Sequence, residues 1–323
     1  MAQLALSKPS LPAGMLVVYK EPGMISKDVS RWLQHRIAPT KMGHIGTLDP
    51  MAEGILPLLL GKATRLQDVL VDSEKEYRFE VTFGVETDTL DKDGQVLSKK
   101  EYSHVTSDAL ETIAEGLVGP YRQVPPIYSA VKYRGKPLYF YARSNRQDEV
   151  PLQDLAKSVD ILEFEFLSYD APRAMFRMVC SKGTYVRAIA KEIADRLETV
   201  GMVTKLMRTK SSGVTINDAK TLESIEKSLK DPQSLIVPVE DIPLNIPQWS
   251  VTDESSVARL RLGQKVSVDQ KAFDRSIGGE LGVESVGHGV MMLLDQFGGA
   301  IGLGESSPGA SGRVSVSLRR GLR

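Results

Sequence analysis

Pro232, Pro238, Pro243 and Pro247 crowd one short stretch of the chain. Proline fixes φ and has no backbone N–H, so neither a long helix nor a central strand can run through this stretch. It therefore divides the chain into a large N-terminal unit and a small C-terminal one. The length of 323 residues asks for such a division, because single cores stop growing at about 250–300 residues. The expected organisation is a tail over 1–14, a main domain over 15–247 and a C-terminal domain over 248–323. No internal repeat at a fixed period is present.

The two units differ in pattern. In the first, "MLVVYK" reads as a buried strand and Pro22-Gly23 as the turn after it. A helix follows with Ser26 as its expected cap and Val29, Trp32, Leu33 and Arg36 on one face. "YRFEVTFG" alternates Phe79, Val81 and Phe83 with Arg78, Glu80 and Thr82, the pattern of a strand with one buried face. Residues 107–118 carry Leu110, Ile113, Ala114 and Leu117 at helical spacing, with Gly119-Pro120 as the expected stop. "GTYVRAIAKEIADRLETVG" is the clearest helix: Thr184 is the expected cap, Val186, Ile189, Ala190, Ile193 and Leu197 the buried stripe, and Gly201 the end. Beyond Trp249, the runs "KVSV", "VMMLL" and "VSVSL" are separated by glycine-rich turns, which points to a small β sheet or barrel. "GGAIGLG" reads as turns between strands, since no capped helix follows it to make a phosphate cradle.

Composition excludes several classes. With 41% hydrophobic and 25% charged residues, the chain has the make-up of a folded globular protein, not of a disordered one. A lone cysteine, Cys180, excludes an internal disulfide and fits a reducing compartment. The N-terminus lacks the pattern of a secretory signal, and the apolar run Ile55 to Leu60 is interrupted by Pro57, so nothing reads as a membrane span. The expected location is the cytoplasm. His35, His44, His104 and His288 are too scattered for a zinc site. "TLDKDG" fails as a calcium loop, with Thr89 at the first ligand position and Lys100 where a bidentate Glu belongs.

The 41 basic and 41 acidic residues cancel in number but not in placement. Between 121 and 146 lie Arg122, Lys132, Arg134, Lys136, Arg143 and Arg146 with no acid, interleaved with Tyr128, Tyr133, Tyr139, Phe140 and Tyr141. Between 173 and 210, nine basic residues face only Glu192, Asp195 and Glu198. The C-terminus adds Arg313, Arg319, Arg320 and Arg323. Basic stretches are most often solvated surface. Rings that stack on bases beside cations that hold phosphates favour a nucleic-acid face.

The chemistry-bearing motif is "GHIGTLDPMAEGILPLLLGKATRL". An Asp before Pro most often forms a turn. Here Gly43, Gly46 and Gly54 let the backbone approach a ligand closely, and the apolar run behind Asp49 desolvates it, the setting of a nucleophile or base. This segment resembles the signature of the tRNA pseudouridine synthase B (TruB) family. "YKEPGMISKDV", "KEYRFEVTFGVETDTLDKDGQV", "QVPPIYSAVKYRGKPLYFYAR", "CSKGTYVRAIAKEIA" and "LMRTKSSGVTINDA" follow in that family's order, spanning residues 18 to 219. Several ordered blocks are far more specific than one short motif. The C-terminal unit resembles the PUA-like barrel that ends many family members, more weakly.

The resemblance implies an α+β fold: a mixed, mostly antiparallel central sheet flanked by helices, plus a small C-terminal β-barrel. It implies conversion of uridine to pseudouridine in the T loop of tRNA (position 55), without cofactor, metal or obligatory protein partner, by a monomer. By position, Asp49 falls on the nucleophilic aspartate. Tyr77 falls on a tyrosine that stacks on the target base and helps remove a proton, and Arg187 on the arginine that pairs with the aspartate. His44 matches a histidine that helps turn nucleotides out, and Leu206 an apolar residue packed on the base. Lys20, Tyr185, Lys132, Arg143 and Arg208 are the further residues expected to contact substrate RNA. Arg187 lies off the apolar stripe of its helix and is expected to point away from the core. A uridine inside a folded loop must be extruded to reach Asp49, and the segment 121–150 is expected to close over the RNA, becoming ordered on binding.

Two positions depart from the family pattern. Ile45 stands where a small hydroxyl residue is usual, which removes a hydrogen bond near His44. Glu53 replaces Thr or Ser and adds a negative charge that a cation must compensate. Three rival readings have their own discriminators. A guide-RNA-dependent synthase subunit differs by inactivity on bare tRNA without partners. A catalytically inactive RNA-binding or tRNA-folding protein is disfavoured by the intact Asp49, Tyr77 and Arg187 set. A glycoside hydrolase needs a second carboxylate at a fixed separation, and no acid near the motif clearly fills that role.

Overall fold

Period-two alternation sorts the side chains of the first strand, Gly14–Lys20, onto two sides of a sheet. Leu16 and Val18 pack with Val29 and Leu33 of the helix Ser26–Arg36, while Met15 and Val17 join Ile55 and Leu59 on the opposite face. The computed structural model describes residues 8–277, 289–309 and 311–322. Residues 1–7 of the expected tail, and Arg323, lie outside the described residues.

The main sheet has ten strands. Eight run in the order Val237–Pro238, Gly14–Lys20, Glu53–Leu60, Gly201–Ser211, Lys75–Phe83, Arg173–Cys180, Lys157–Asp170 and Gly119–Gln123, with Met42–His44 and Val214–Thr215 paired alongside. Every pairing in it is antiparallel except that of Glu53–Leu60 with Gly201–Ser211. The sheet is thus mixed and mostly antiparallel, with helices against it. Phe79, Val81 and Phe83 lie on one face, as their alternation predicts, and Ile189, Ala190 and Ile193 of the helix Val186–Arg196 pack onto the same cluster. These contacts fix the helix against the sheet and so fix Arg187. Truncating Ile189, which is wholly buried, to Ala removes about 2–5 kcal/mol.

Several helix ends differ from the sequence reading. Ser26 does not cap its helix; Ile25 holds the cap position and the Ser26 hydroxyl bonds Leu48 instead. Tyr185, not Thr184, precedes Val186–Arg196, and the Thr184 hydroxyl donates to the Ser181 carbonyl. That helix stops at Arg196 with Glu198 in the left-handed region, while Gly201 opens the next strand. The helix Ser107–Glu115 is capped by Thr106 and closed at Gly116. Gly119 and Pro120 begin an edge strand, where a missing N–H is tolerated.

The C-terminal unit is a five-stranded half-barrel in the order Gln248–Val251, Val290–Asp295, Ala300–Pro308, Arg313–Gly321, Val266–Asp269. "GGAIGLG" is corrected from turns to strand, because most of it lies in Ala300–Pro308. The unit has its own core around Trp249, Leu260, Phe273 and Val316. Met292, Ala300, Leu303 and Leu322, however, belong to the same apolar cluster as Met15, Val17 and Ile55. The proline-rich stretch is likewise packed, with Val239 and Ile242 buried and Val237–Pro238 paired to the first strand. The Arg320 guanidinium meets Asp68 at 2.6 Å and closes the seam.

The segment 121–150 carries a small apolar cluster of its own. Leu138, Tyr141 and Val150 form it, with Ile127, Val131 and Tyr133 against them. Its cations lie over its own rings: Lys136 Nζ is 4.3 Å from the Phe140 centroid, and the Arg143 guanidinium 5.4 Å from that of Tyr139.

One glycine positions the site. Gly54 has φ +104°, and a Cβ there would lie 2.3 Å from the Arg208 carbonyl oxygen. Gly54→Ala is expected to lower stability by about 2–4 kcal/mol through strain and steric conflict; an unchanged thermal midpoint would contradict this reading of the strand contact.

Candidate active site

Asp49 is held by its neighbours in sequence, not only by its own side chain. The Ser26 hydroxyl accepts from the Leu48 N–H at 2.9 Å and donates to the Leu48 carbonyl at 3.1 Å. The Pro50 carbonyl accepts from the Gly23 N–H at 2.8 Å and from Lys20 Nζ at 3.2 Å. Leu48, Met51 and Ala52 are buried in the cluster that contains Tyr77 and Leu206. A turn anchored on both sides gives the carboxylate one orientation, and the side chain remains 31% exposed and open to a reactant.

Arg187 binds that carboxylate through both oxygens, with Nε at 2.8 Å from Oδ2 and Nη2 at 2.9 Å from Oδ1. Its Nη1 donates to the Thr89 carbonyl at 2.9 Å and its Nη2 also to the Tyr128 carbonyl at 3.0 Å. Arg187 leaves the apolar stripe of its helix for Asp49, as expected, although its side chain is only 4% exposed. A guanidinium is tolerated there because its planar fork meets acceptors on several sides.

A second carboxylate shares this cation. Asp91 Oδ2 lies 3.8 Å from Arg187 Nε in a buried position. Burial pushes the Asp91 carboxyl up from its ordinary value, opposed by the Thr89 hydroxyl, the Arg187 charge and the Asp93 N–H. Sequence reasoning gave Asp91, Thr89 and Tyr128 no place beside Asp49: Thr89 entered only the failed calcium-loop match and Tyr128 only the basic, ring-rich stretch. The signal was present in "DTLDKDG", a turn dense in acids, but only the tertiary fold shows that its apex faces Arg187.

The wall beside Asp49 is apolar. Tyr77 and Leu206 are 8% and 5% exposed. Burial raises the Tyr77 phenol above its ordinary value, with the Arg208 charge as the main opposing influence. Tyr77 is therefore protonated at neutral pH, a phenol rather than a ready-made base. His44 donates or accepts at Nε2 with the Thr47 hydroxyl at 3.1 Å. Burial, then Arg208, lowers the His44 pKa, so the imidazole is neutral. Ile45 is wholly buried in the core. The hydroxyl that its position lacks is supplied to His44 by Thr47. Glu53 accepts from the Tyr19 hydroxyl at 2.7 Å, so a phenol donor, not only a cation, meets its charge.

Tyr185 precedes the helix of Arg187, half-buried, with its N–H donating to Gln123 Oε1 at 2.6 Å. Lys132 and Arg143 are exposed on the insertion. Lys20 and Arg208 are corrected as RNA contacts. Lys20 is 0% exposed with Nζ donating to the Glu21, Met24 and Pro50 carbonyls. Arg208 is 1% exposed with its guanidinium on the Ile55, Ile45 and Gly46 carbonyls. Long cationic side chains near an RNA site read as phosphate ligands in sequence, yet these two hold the fold of the loop that presents Asp49.

Burial also depresses Lys20 and Lys75, each from 10.5 to about 8. Both bind a proton more weakly folded than unfolded, so between pH 8 and 9 the unfolded chain carries more protons and stability rises with pH. Above that the Cys180 thiol, raised from 9.0 to about 11 by burial, opposes the trend. Denaturant unfolding at pH 7, 8 and 9 is expected to show the rise, and Lys20→Met to flatten it.

Among the described residues, no group of three or more His, Cys, Asp or Glu is placed to hold a metal ion. No described helix is long and apolar enough to cross a membrane.

Comparison with known proteins gives a consistent result. Residues 34–186 match the model of the TruB family pseudouridylate synthase (N terminal domain). The tRNA pseudouridine synthase B of Caldanaerobacter subterraneus subsp. tengcongensis is 41% identical over 221 residues, covering 68% of this chain and 76% of that protein. That of Lactococcus lactis is 36% identical over 270 residues, covering 81% of this chain and 82% of that protein. In structure, a chain of a Cbf5-Nop10-Gar1 complex superposes with a TM-score of 0.73 at 20% identity over 100% of this chain and 91% of that one, a likeness of fold. With the ordered sequence blocks, the shared sheet and two relatives aligned over most of their length, the chain belongs to the tRNA pseudouridine synthase B family.

Proposed function

We propose that this protein isomerises uridine to pseudouridine in tRNA, at the T loop (position 55), with Asp49 as the nucleophile. The observation that carries this reading is the two-point Arg187–Asp49 pair at the mouth of an apolar wall built by Tyr77 and Leu206. A carboxylate fixed through both oxygens, yet partly exposed, presents a lone pair in one direction to a flipped nucleotide. The reaction breaks a C–N bond and makes a C–C bond with no net redox change. Tyr77 and Leu206 supply the surfaces against which the uracil ring packs, and the neutral His44 beside Thr47 is suited to wedge at the vacated stacking position. Lys132, Arg143 and Tyr185 are the remaining candidates for RNA contact. The unit 15–247 carries the chemistry, the insertion 121–150 and the unit 248–323 extend the RNA surface, and the enzyme acts as a monomer on bare tRNA.

The test is incubation of purified protein with a tRNA transcript carrying tritium at uracil C5. Release of label without added protein partners, persisting in the presence of chelators, is the expected result. No release from folded protein, or release only with partner proteins, would remove the reading. A transcript with its T-loop uridine replaced by cytidine should release nothing; continued release would place the target elsewhere.

A further inference from the structure

The helix that carries Arg187 has no side-chain cap of its own, and the turn before it is held from another strand. Gln123, 3% exposed, ends the edge strand Gly119–Gln123 with its amide on that turn. Its Nε2 donates to the Gly183 carbonyl at 2.9 Å, and its Oε1 accepts from the Tyr185 N–H at 2.6 Å. A backbone N–H can only donate and a carbonyl only accept, so these partners fix which way the amide faces. Tyr185 holds the cap position of Val186–Arg196. A clamp across Gly183 and Tyr185 therefore fixes where the helix begins, and with it the root of the Arg187 side chain.

The same strand end is where the insertion 121–150 leaves the sheet. Gln123 pairs with Lys157 of the neighbouring strand, and the chain then runs through the buried Pro125 and Pro126 to Tyr128. Successive prolines have fixed φ, so this link is stiff. At its far end the Tyr128 carbonyl accepts from Arg187 Nη2 at 3.0 Å. The root of the insertion thus meets Arg187 twice, at the backbone before it through Gln123 and at the guanidinium through Tyr128. Further along the helix the Tyr121 hydroxyl donates to Glu192 Oε2 at 3.2 Å, so the edge strand grips the helix body as well.

We propose that Gln123 is a positioning residue for the reaction: its amide sets the start of the Arg187 helix, and through Arg187 the direction in which Asp49 presents its oxygens. This rests on Asp49 as the nucleophile, as in the proposed function. The tolerance is narrow, because Arg187 meets the two Asp49 oxygens at 2.8 and 2.9 Å, and a displacement of about 1 Å at a reacting group costs roughly 10²-fold in rate. An apolar side chain at position 123 takes a partner from the Gly183 carbonyl and from the Tyr185 N–H, and the turn must shift to replace them. The helix body stays in place, since Ile189, Ala190 and Ile193 remain in the core. The loss is therefore read in the rate rather than in RNA affinity. The charged and titratable groups on the elements around the amide are Arg122 on its own strand, Lys157 and Asp160 on the paired strand, Lys182 and Tyr185 in the turn, and Arg187 on the helix.

Gln123→Glu and Gln123→Met test the proposal, with single-turnover release of C5 tritium followed from pH 5 to pH 8. A protonated carboxyl at position 123 reproduces both bonds, its O–H donating to the Gly183 carbonyl and its C=O accepting from the Tyr185 N–H. A carboxylate keeps only the second and turns an oxygen toward the Gly183 carbonyl. The rate of Gln123→Glu relative to the unaltered protein is expected to lie within about threefold at pH 5 and to fall at least about tenfold by pH 8, with tRNA binding retained. Gln123→Met is expected to be slower by about 10- to 10²-fold throughout, with affinity for tRNA within about threefold. The Arg187 Nε–H resonance in ¹⁵N spectra, identified by its loss in Arg187→Lys, reports the Asp49 pair without RNA; it is expected to shift in Gln123→Met, and in Gln123→Glu to shift as pH rises. A purely structural role lowers the unfolding midpoint without a pH-dependent rate ratio between folded proteins. A constant ratio overturns the proposal, as does a Gln123→Glu protein that unfolds rather than slows. If Gln123→Met does not fold, the Gln123→Glu series decides alone; loss of the fold in both leaves Gln123 a structural residue and overturns the proposal. Absence of release from the unaltered protein removes the functional reading and leaves the Arg187 resonance to decide this inference. Release that is present but indifferent to position 123 removes this inference only.

Discussion

The Asp49→Asn protein is expected to bind tRNA and release no measurable tritium from uracil C5, a loss of at least about 10⁴-fold. The amide has the size of the carboxylate but carries no charge, and its nitrogen cannot form a bond to the substrate under these conditions. One amide oxygen still accepts from Arg187, whereas the amide NH₂ faces a guanidinium N–H and cannot. The cost to stability is roughly 1–2 kcal/mol, the range for losing a charged hydrogen bond at a partly exposed site. Binding should be unchanged or slightly tighter, because Arg187 loses a counter-charge beside a polyanion. Activity within tenfold of the unaltered protein would mean that another group is the nucleophile. Loss of both binding and folding would leave Asp49 a structural residue only.

Sequence alone located the strands and helices whose apolar positions repeat cleanly. Phe79, Val81 and Phe83 on one sheet face, and Ile189, Ala190 and Ile193 on the helix facing them, follow from spacing because one face of each is buried. Helix ends were less legible, since Ser26 and Thr184 are good caps in isolation but find partners in Leu48 and Ser181. These competitors are twenty-odd residues away in the first case and three in the second, and local preference cannot rank them. At the site, the acid and its arginine were legible through ordered motifs, whereas Asp91 was not. Its role depends on a turn that folds back to Arg187. Lys20 and Arg208 show the reverse failure, because charge suggests exposure and nothing local reveals that backbone carbonyls enclose both. A buried cation is a property of the fold that surrounds it, not of the segment that bears it.

Arg187→Lys is the harsher test of how the site is built, since it preserves charge and removes only shape. The guanidinium serves both oxygens of Asp49 and the carbonyls of Thr89 and Tyr128, with Asp91 close by. An ammonium has three donors on one atom and cannot reach acceptors arranged around a plane. Asp49 then loses its two-point hold, and at least one buried acceptor is left without a donor. The turnover rate is expected to fall by about 10²–10³-fold with KM changed less than about threefold, because orientation of the nucleophile, not attraction of RNA, is what the fork supplies. Stability should drop by about 2–3 kcal/mol, less than full removal of a buried charge partner would cost. The exposed pair Arg31–Asp28, with side chains 55% and 39% accessible, provides the contrast; Arg31→Ala should change stability by less than about 0.5 kcal/mol and leave activity intact. If Arg187→Lys instead raised KM strongly while preserving the turnover rate, Arg187 would be a phosphate ligand, and the orientation of Asp49 would have to come from the Ser26 and Lys20 tethers alone.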